Sequence, residues 1–200
     1  NWPNYLFWDK YQSDFYNEIC MQPYKSIISG PLCKQIKSLD KKTIFRNKTI
    51  SVFDISPKRD SLRIKTATTN EFFTPSNFLP FFEDILFICQ KHHIQIVFKI
   101  KRNITNSQIH PSYLKIIKKL KCYDNVLFID PSTAPEALIS VTNCAINMPL
   151  SSTAIISDFM NKPVCYYDPT SYISKSDSRA RGIEIISSIK ELDNWILANI

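Results

Sequence analysis

Glycine is nearly absent: Gly30 and Gly182 are the only two in 200 residues. That scarcity excludes the Gly-rich turn of dinucleotide-binding domains and the phosphate loop of P-loop ATPases, because both bring backbone against phosphate where a side chain would collide. No apolar run reaches the roughly 18–20 residues a membrane-spanning helix needs. No secretory signal is expected from these residues, and the chain opens on Asn1-Trp2-Pro3 without a Met, a start in mid-pattern that leads us to expect further protein upstream. The cysteines, at 20, 33, 89, 122, 144 and 165, include no CxxC pair. Neither a zinc site nor a thioredoxin-like motif is therefore supported, and no metal is expected. Most cysteines lie in apolar runs such as Phe87-Ile88-Cys89, and buried thiols of a reducing, cytosolic protein are expected. No GxSxG element and no Cys–His pairing marks a nucleophile.

What is present is a core-forming composition. Hydrophobic residues make up 44% of the chain, which argues against wholesale disorder and suits one domain plus a piece of another. The net charge is +7, which fits nucleic acid, anionic lipid or a phosphorylated ligand. The cations form small clusters, at 41–42, 58–59, 99–102 and 115–121, and no nucleic-acid motif accompanies them, so no nucleic-acid partner is expected.

From residue 49 onward, strand and helix patterns alternate. Residues 49–55 (TISVFDI), 94–100 (IQIVFKI), 125–129, 144–147 and 163–167 read as strands. Helices are predicted over 75–93, 111–121, 134–141, 151–160 and 189–200. Thr74 is a candidate cap of the first, with Pro80 permitting a later start, and Ser132 or Thr133 of the third. Strands this apolar are buried on both faces. The fold expected is α/β, a doubly wound Rossmann-like parallel sheet over 49–200. Residues 1–48 read as a βα remnant of a preceding domain and a polar linker.

In such a sheet, ligands bind outside the carboxyl ends of the strands. Four segments fall there. Pro149-Leu150-Ser151-Ser152-Thr153 places three hydroxyls at a helix start, suited to phosphate or carboxylate, although a single hydroxyl would serve as a plain helix cap. Lys99, Lys101 and Arg102 end the second strand and can hold a diphosphate, or form a solvated basic loop. His110-Pro111, at a helix start, can reach the same crevice. Tyr166-Tyr167-Asp168-Pro169, after the fifth strand, can hold a base or ribose through an aromatic ring and a carboxylate, or simply turn the chain. Asp54, ending the first strand, is a weaker candidate.

These segments in this order resemble the bacterial polysaccharide biosynthesis PFTS-motif family, with Pro149-Leu150-Ser151-Ser152 in the place of the name motif, Leu standing for Phe and Ser for Thr. The neighbouring Asn161-Lys162-Pro163, Tyr166-Tyr167-Asp168-Pro169-Thr170, Gly30-Pro31 and the run from Val52 to Pro57 fit the same resemblance. His110-Pro111 and Ser151-Ser152 are also similar to the His-Pro and paired-Ser motifs of GT-B bacterial sialyltransferases and Kdo transferases. The resemblance implies the C-terminal, donor-binding domain of a glycosyltransferase that builds surface polysaccharide such as capsule or lipopolysaccharide. It implies a nucleotide-sugar donor, a CMP-sugar above others, a glycan acceptor and no further cofactor. His110 would contact the nucleotide, and Ser151 and Ser152 its phosphate. The catalytic base is expected in an N-terminal domain. Asp9 and Asp14 are carboxylates of residues 1–48, but nothing places them at an acceptor, and the fragment alone is expected to turn over nothing. The expected location is cytoplasmic, with peripheral contact at the inner membrane. A UDP-sugar epimerase-like enzyme, a glycerophosphate transferase and a basic module binding polyanions remain alternatives.

Overall fold

The computed structural model describes residues 2–31, 48–65, 72, 74–100 and 108–200. They fall into two compact units, Asn1–Gln35 and Ile36–Ile200.

The first unit is a single βαβ turn. Strand β1 (Asn4–Phe7) and strand β2 (Lys25–Ile28) pair in parallel and are joined by helix α1 (Lys10–Ile19). Asp9 caps α1, its carboxylate accepting from the Gln12 amide at 2.8 Å. Tyr5, Phe7, Tyr16 and Tyr24 gather into one aromatic cluster with ring centroids 4.8–6.4 Å apart.

The second unit is built on six parallel strands: β3 (Thr49–Phe53), β4 (Gln95–Lys99), β5 (Val126–Ile129), β6 (Cys144–Asn147), β7 (Val164–Tyr167) and β8 (Glu184–Ile186). Their order is β5-β4-β3-β6-β7-β8. Counted within this sheet that is 3-2-1-4-5-6, the doubly wound order, with its switch point between β3 and β6. The expected α/β class holds. Helices α3 (Pro75–Lys91), α4 (Pro111–Leu120) and α7 (Ile189–Ala198) cover one face, and α5 (Pro135–Val141) and α6 (Ser152–Phe159) the other. A short helix, α2 (Asp60–Lys65), buries no side chain.

Each face has its own core. Ile50, Val52, Ile96 and Phe98 turn toward α3 and α4, meeting Phe78, Phe82, Ile85 and Tyr113. Their strand neighbours Phe53, Val97 and Ala145 turn toward α5 and α6, meeting Leu138, Ile139 and Ile156. This two-residue alternation, with both faces covered, is why the strands read as unbroken apolar runs.

Three local expectations change. Helix α3 begins at Pro75 and runs through Pro80, the other helices' packing holding the turn that Pro80 leaves one hydrogen bond short. The cap residue of α5 is Ala134, because the Ser132 amide and hydroxyl both donate to the Asp130 carboxylate instead. Of the cysteines described, Cys89, Cys144 and Cys165 are buried, but Cys122 is exposed and Cys20 half-buried.

Candidate functional site

The carboxyl-terminal ends of four strands lie side by side. Lys99 pairs with Phe53, Phe53 with Asn147, and Asn147 with Tyr166. Residues paired across a parallel ladder share a face, so these four project toward α5 and α6 in one row at the carboxyl edge. Lys99 and Asn147, two strands apart, are about 10 Å from one another along that row.

Asn147 is the polar member of an otherwise apolar strand and is 0% exposed. Its Oδ1 accepts from the Thr153 hydroxyl at 2.6 Å and from the Ser151 hydroxyl at 3.4 Å. Its Nδ2 is buried with no hydrogen-bond partner among the described residues, which costs about 1–3 kcal/mol when nothing compensates. Between Asn147 and α6 the chain turns at Leu150, whose φ of 60° lies in the left-handed region that a residue with a branched side chain seldom enters. Such strain persists only where the surroundings enforce it, and it clusters at binding sites.

The helix start reached by this turn is not a plain cap. Ser151 occupies the N-cap position of α6, yet its hydroxyl accepts no helix amide. The hydroxyl instead lies 3.2 Å from that of Thr153. Among the described residues, the amides of Ser152 and Thr153 donate to no protein group, and the exposed Ser152 hydroxyl has no protein partner. The helix dipole adds partial positive charge at this end. Free amides, a free hydroxyl and a dipole together form an anion-binding arrangement.

Around it stand the other candidates. Lys99 is 8% exposed, and its ammonium donates to the Pro131 carbonyl at 3.2 Å. Burial pushes its pKa below the ordinary lysine value, against the pull of Asp54, Asp130 and Glu136. Asp54 turns to the opposite face, where the buried Tyr113 hydroxyl of α4 donates to it. Burial and that carboxylate hold Tyr113 well above the usual phenol range. His110 is the N-cap of α4, with Nδ1 accepting from the Ser112 amide at 3.1 Å, so its ring proton lies on Nε2, 3.8 Å from the Asp60 carboxylate. Pro111 fills the first helical position. Lys101 and Arg102 lie outside the described residues.

Tyr167 and Asp168 are committed within the unit. Tyr167 faces α3 and donates to Asp84 at 2.5 Å. The Asp168 carboxylate accepts from the Thr170 amide and hydroxyl and the Ile173 amide, at 3.2, 2.9 and 2.8 Å. That is a satisfied turn. The tyrosine that meets the α6 turn is Tyr166, whose hydroxyl donates to the Ser151 carbonyl at 3.3 Å and whose pKa burial pushes up to about 12. Of this region, the sequence does not single out Asn147, and within the segment Tyr166–Pro169 it does not distinguish Tyr166 from Tyr167. A lone amide in an apolar strand, and the alternation that puts Tyr166 rather than Tyr167 on the face of Asn147, are the signals that identify them.

A cavity of about 370 Å³ lies at the opposite edge of the sheet, lined by Cys89, His93, Cys122 and Tyr123 among others, and contains none of these candidates. Among the described residues, no cluster of three or more His, Cys, Asp or Glu suits a metal ion.

Fold and turn together define a doubly wound α/β unit with an anion-suited helix start beside its switch point. The chain belongs to the polysaccharide biosynthesis PFTS motif protein family, whose model matches residues 1–196. No curated protein matches by sequence. Three solved structures are similar in part. UDP-GlcNAc 2-epimerase from Methanocaldococcus jannaschii has a TM-score of 0.47 at 10% identity, over 80% of this chain and 39% of that one. KpsC, the beta Kdo 2,4 transferase of Thermosulfurimonas dismutans, has 0.43 at 12%, over 80% and 47%. TarM has 0.44 at 13%, over 96% and 35%. The chain therefore spans less than half the length of each.

Proposed function

We propose that the second unit is the donor-binding domain of a GT-B-type glycosyltransferase of polysaccharide biosynthesis and that it holds a nucleotide-sugar, a CMP-sugar above others. The observation that carries this reading is the helix start at Ser151–Thr153, with two free amides and a free hydroxyl beside the switch point. Membership of the PFTS motif family supplies the polysaccharide context. The preference for CMP rests on the likeness of His110-Pro111 and Ser151-Ser152 to the motifs of sialyltransferases and Kdo transferases.

In this reading the acceptor hydroxyl oxygen attacks the anomeric carbon, the bond from that carbon to the phosphate oxygen breaks, and CMP leaves. Negative charge grows on the departing phosphate, where amides fixed in advance are most effective. His110 reaches the nucleotide through Nε2, and Lys99 supplies positive charge to the same edge; Lys101 and Arg102, which follow it in sequence, are further diphosphate candidates outside the described residues. Asp54 fixes α4 through Tyr113. Tyr167 and Asp168 support the site from behind by holding the strand end. The base that takes the acceptor proton is assigned to no described residue. The net charge of +7 suits work beside anionic lipid at the cytoplasmic face of the inner membrane. Among the described residues no helix is long and apolar enough to cross a membrane.

Calorimetric titration with CMP, UMP and inorganic phosphate tests this. CMP is expected to bind best, and a Ser151→Ala/Ser152→Ala double variant to weaken it about tenfold or more, the effect of losing hydrogen bonds to a charged group. Equal binding of UMP would remove the CMP preference. Absence of any nucleotide binding would overturn the donor site.

A further inference from the structure

Three hydroxyl residues meet at the start of α6, but their surroundings assign them different tasks. The Thr153 hydroxyl lies 2.6 Å from Asn147 Oδ1, a short and well-committed bond. The Ser151 hydroxyl has only long contacts, 3.4 Å to the same oxygen and 3.2 Å to Thr153, and can turn outward at little cost. The Ser152 hydroxyl is exposed and has no protein partner among the described residues. Asn147, which organises the set, is fully buried and reaches no solvent.

We propose that Asn147 is the positioning residue of this anion site, acting through Thr153 to hold the first turn of α6 so that the Ser152 and Thr153 amides and the Ser151 and Ser152 hydroxyls converge on one phosphate. This rests on the donor-site reading above and adds to it the residue that sets its geometry. Two features lead to Asn147 rather than to the helix end alone. Its amide contacts the first turn directly, at Thr153, and its Nδ2 is buried without a partner among the described residues. That N–H dipole is neutralised by no acceptor, so it adds positive potential beneath the site. A carboxylate of the same shape would keep the Thr153 bond and reverse that potential. Asn147 thus also selects for an anion, and a neutral amide is the acceptor that can anchor the turn without repelling phosphate.

Two variants and a pH series test this with CMP and inorganic phosphate as probes. Asn147→Asp keeps the acceptor. When ionised it places negative charge under the phosphate, and when protonated it imitates the amide. The ratio of variant to wild-type Kd is expected to widen as pH rises from 5.5 to 9, since burial raises the pKa of such a carboxyl into that range. Thr153→Val keeps the shape of the side chain and removes its proton, and is expected to weaken both probes about five- to tenfold; because the buried Asn147 Oδ1 loses its short donor, the unfolding midpoint falls while the chain still folds. A loss in Asn147→Asp that is equal at every pH would reduce Asn147 to a packing residue and overturn the proposal. So would unaltered affinity in both variants. Failure of the wild type to bind either probe would instead remove the donor site itself, an outcome distinct from the other two.

Discussion

Neighbouring hydroxyls at the α6 start differ in what their loss removes. Ser152→Ala deletes a group with no protein partner among the described residues. We expect CMP affinity to fall about fivefold in calorimetry while the urea midpoint stays within error. The reverse holds for Tyr113, which is 0% exposed and donates to the buried Asp54. Tyr113→Phe leaves that carboxylate short of a donor, and a loss of about 1–3 kcal/mol is expected from urea unfolding. Exposed ion pairs will not behave this way. Glu83→Ala, which removes the partner of Lys119 at 3.3 Å, is expected to change stability by less than about 1 kcal/mol, because both side chains are about half exposed.

At the scale of elements, the long regular pieces were legible and the short ones were not. The five strands predicted from 49 to 167 are β3 to β7, and the helix predicted from 75 is α3, which buries Phe78, Phe82, Ile85, Leu86 and Cys89. Each carries several turns or a full apolar run, so periodicity decides it. Strand β8 has three residues and α2 has six with none buried, too little pattern for either to show. The candidate site is legible at Ser151–Thr153 as adjacent hydroxyls placed at a strand end and a helix start. It was not legible at Asn147, because an amide's worth depends on partners that only the fold supplies. The misplaced cap of α5 has the same origin: Asp130, two residues before Ser132, takes its amide and hydroxyl first. Pro80 offers a prediction at this scale. It denies α3 one backbone hydrogen bond within a helix of 17 residues. Pro80→Ala restores that donor and is expected to raise stability by about 1–2 kcal/mol, reduced from the full helix-interior cost by the freer unfolded chain. An unchanged or lowered urea midpoint would show that Pro80 is accommodated without strain.

For the whole molecule, several surface carboxylates respond to acid together. Arg179 holds Asp177, Lys175 holds Glu191 and Lys91 holds Asp193 below the usual carboxylate range. A carboxylate with a depressed folded-state pKa contributes stability that is present above its ordinary value, near 4, and is lost as pH falls through the folded value. The melting temperature is therefore expected to be level between about pH 5 and 7 and to decline below about pH 4. The net charge of +7 gives the molecule one competing use, as a binder of polyanions. Such binding falls steeply with salt, whereas a nucleotide held by oriented amides responds far less. We propose above that the start of α6 receives the phosphate of a nucleotide. The most direct measurement is a titration of the isotope-labelled chain with CMP, followed through the backbone amide resonances. The Ser152 and Thr153 amides, which lack protein acceptors among the described residues, are expected to shift most and to saturate together with calorimetric binding. Shifts confined to the basic surface clusters, with Ser152 and Thr153 unmoved at saturating CMP, would contradict it.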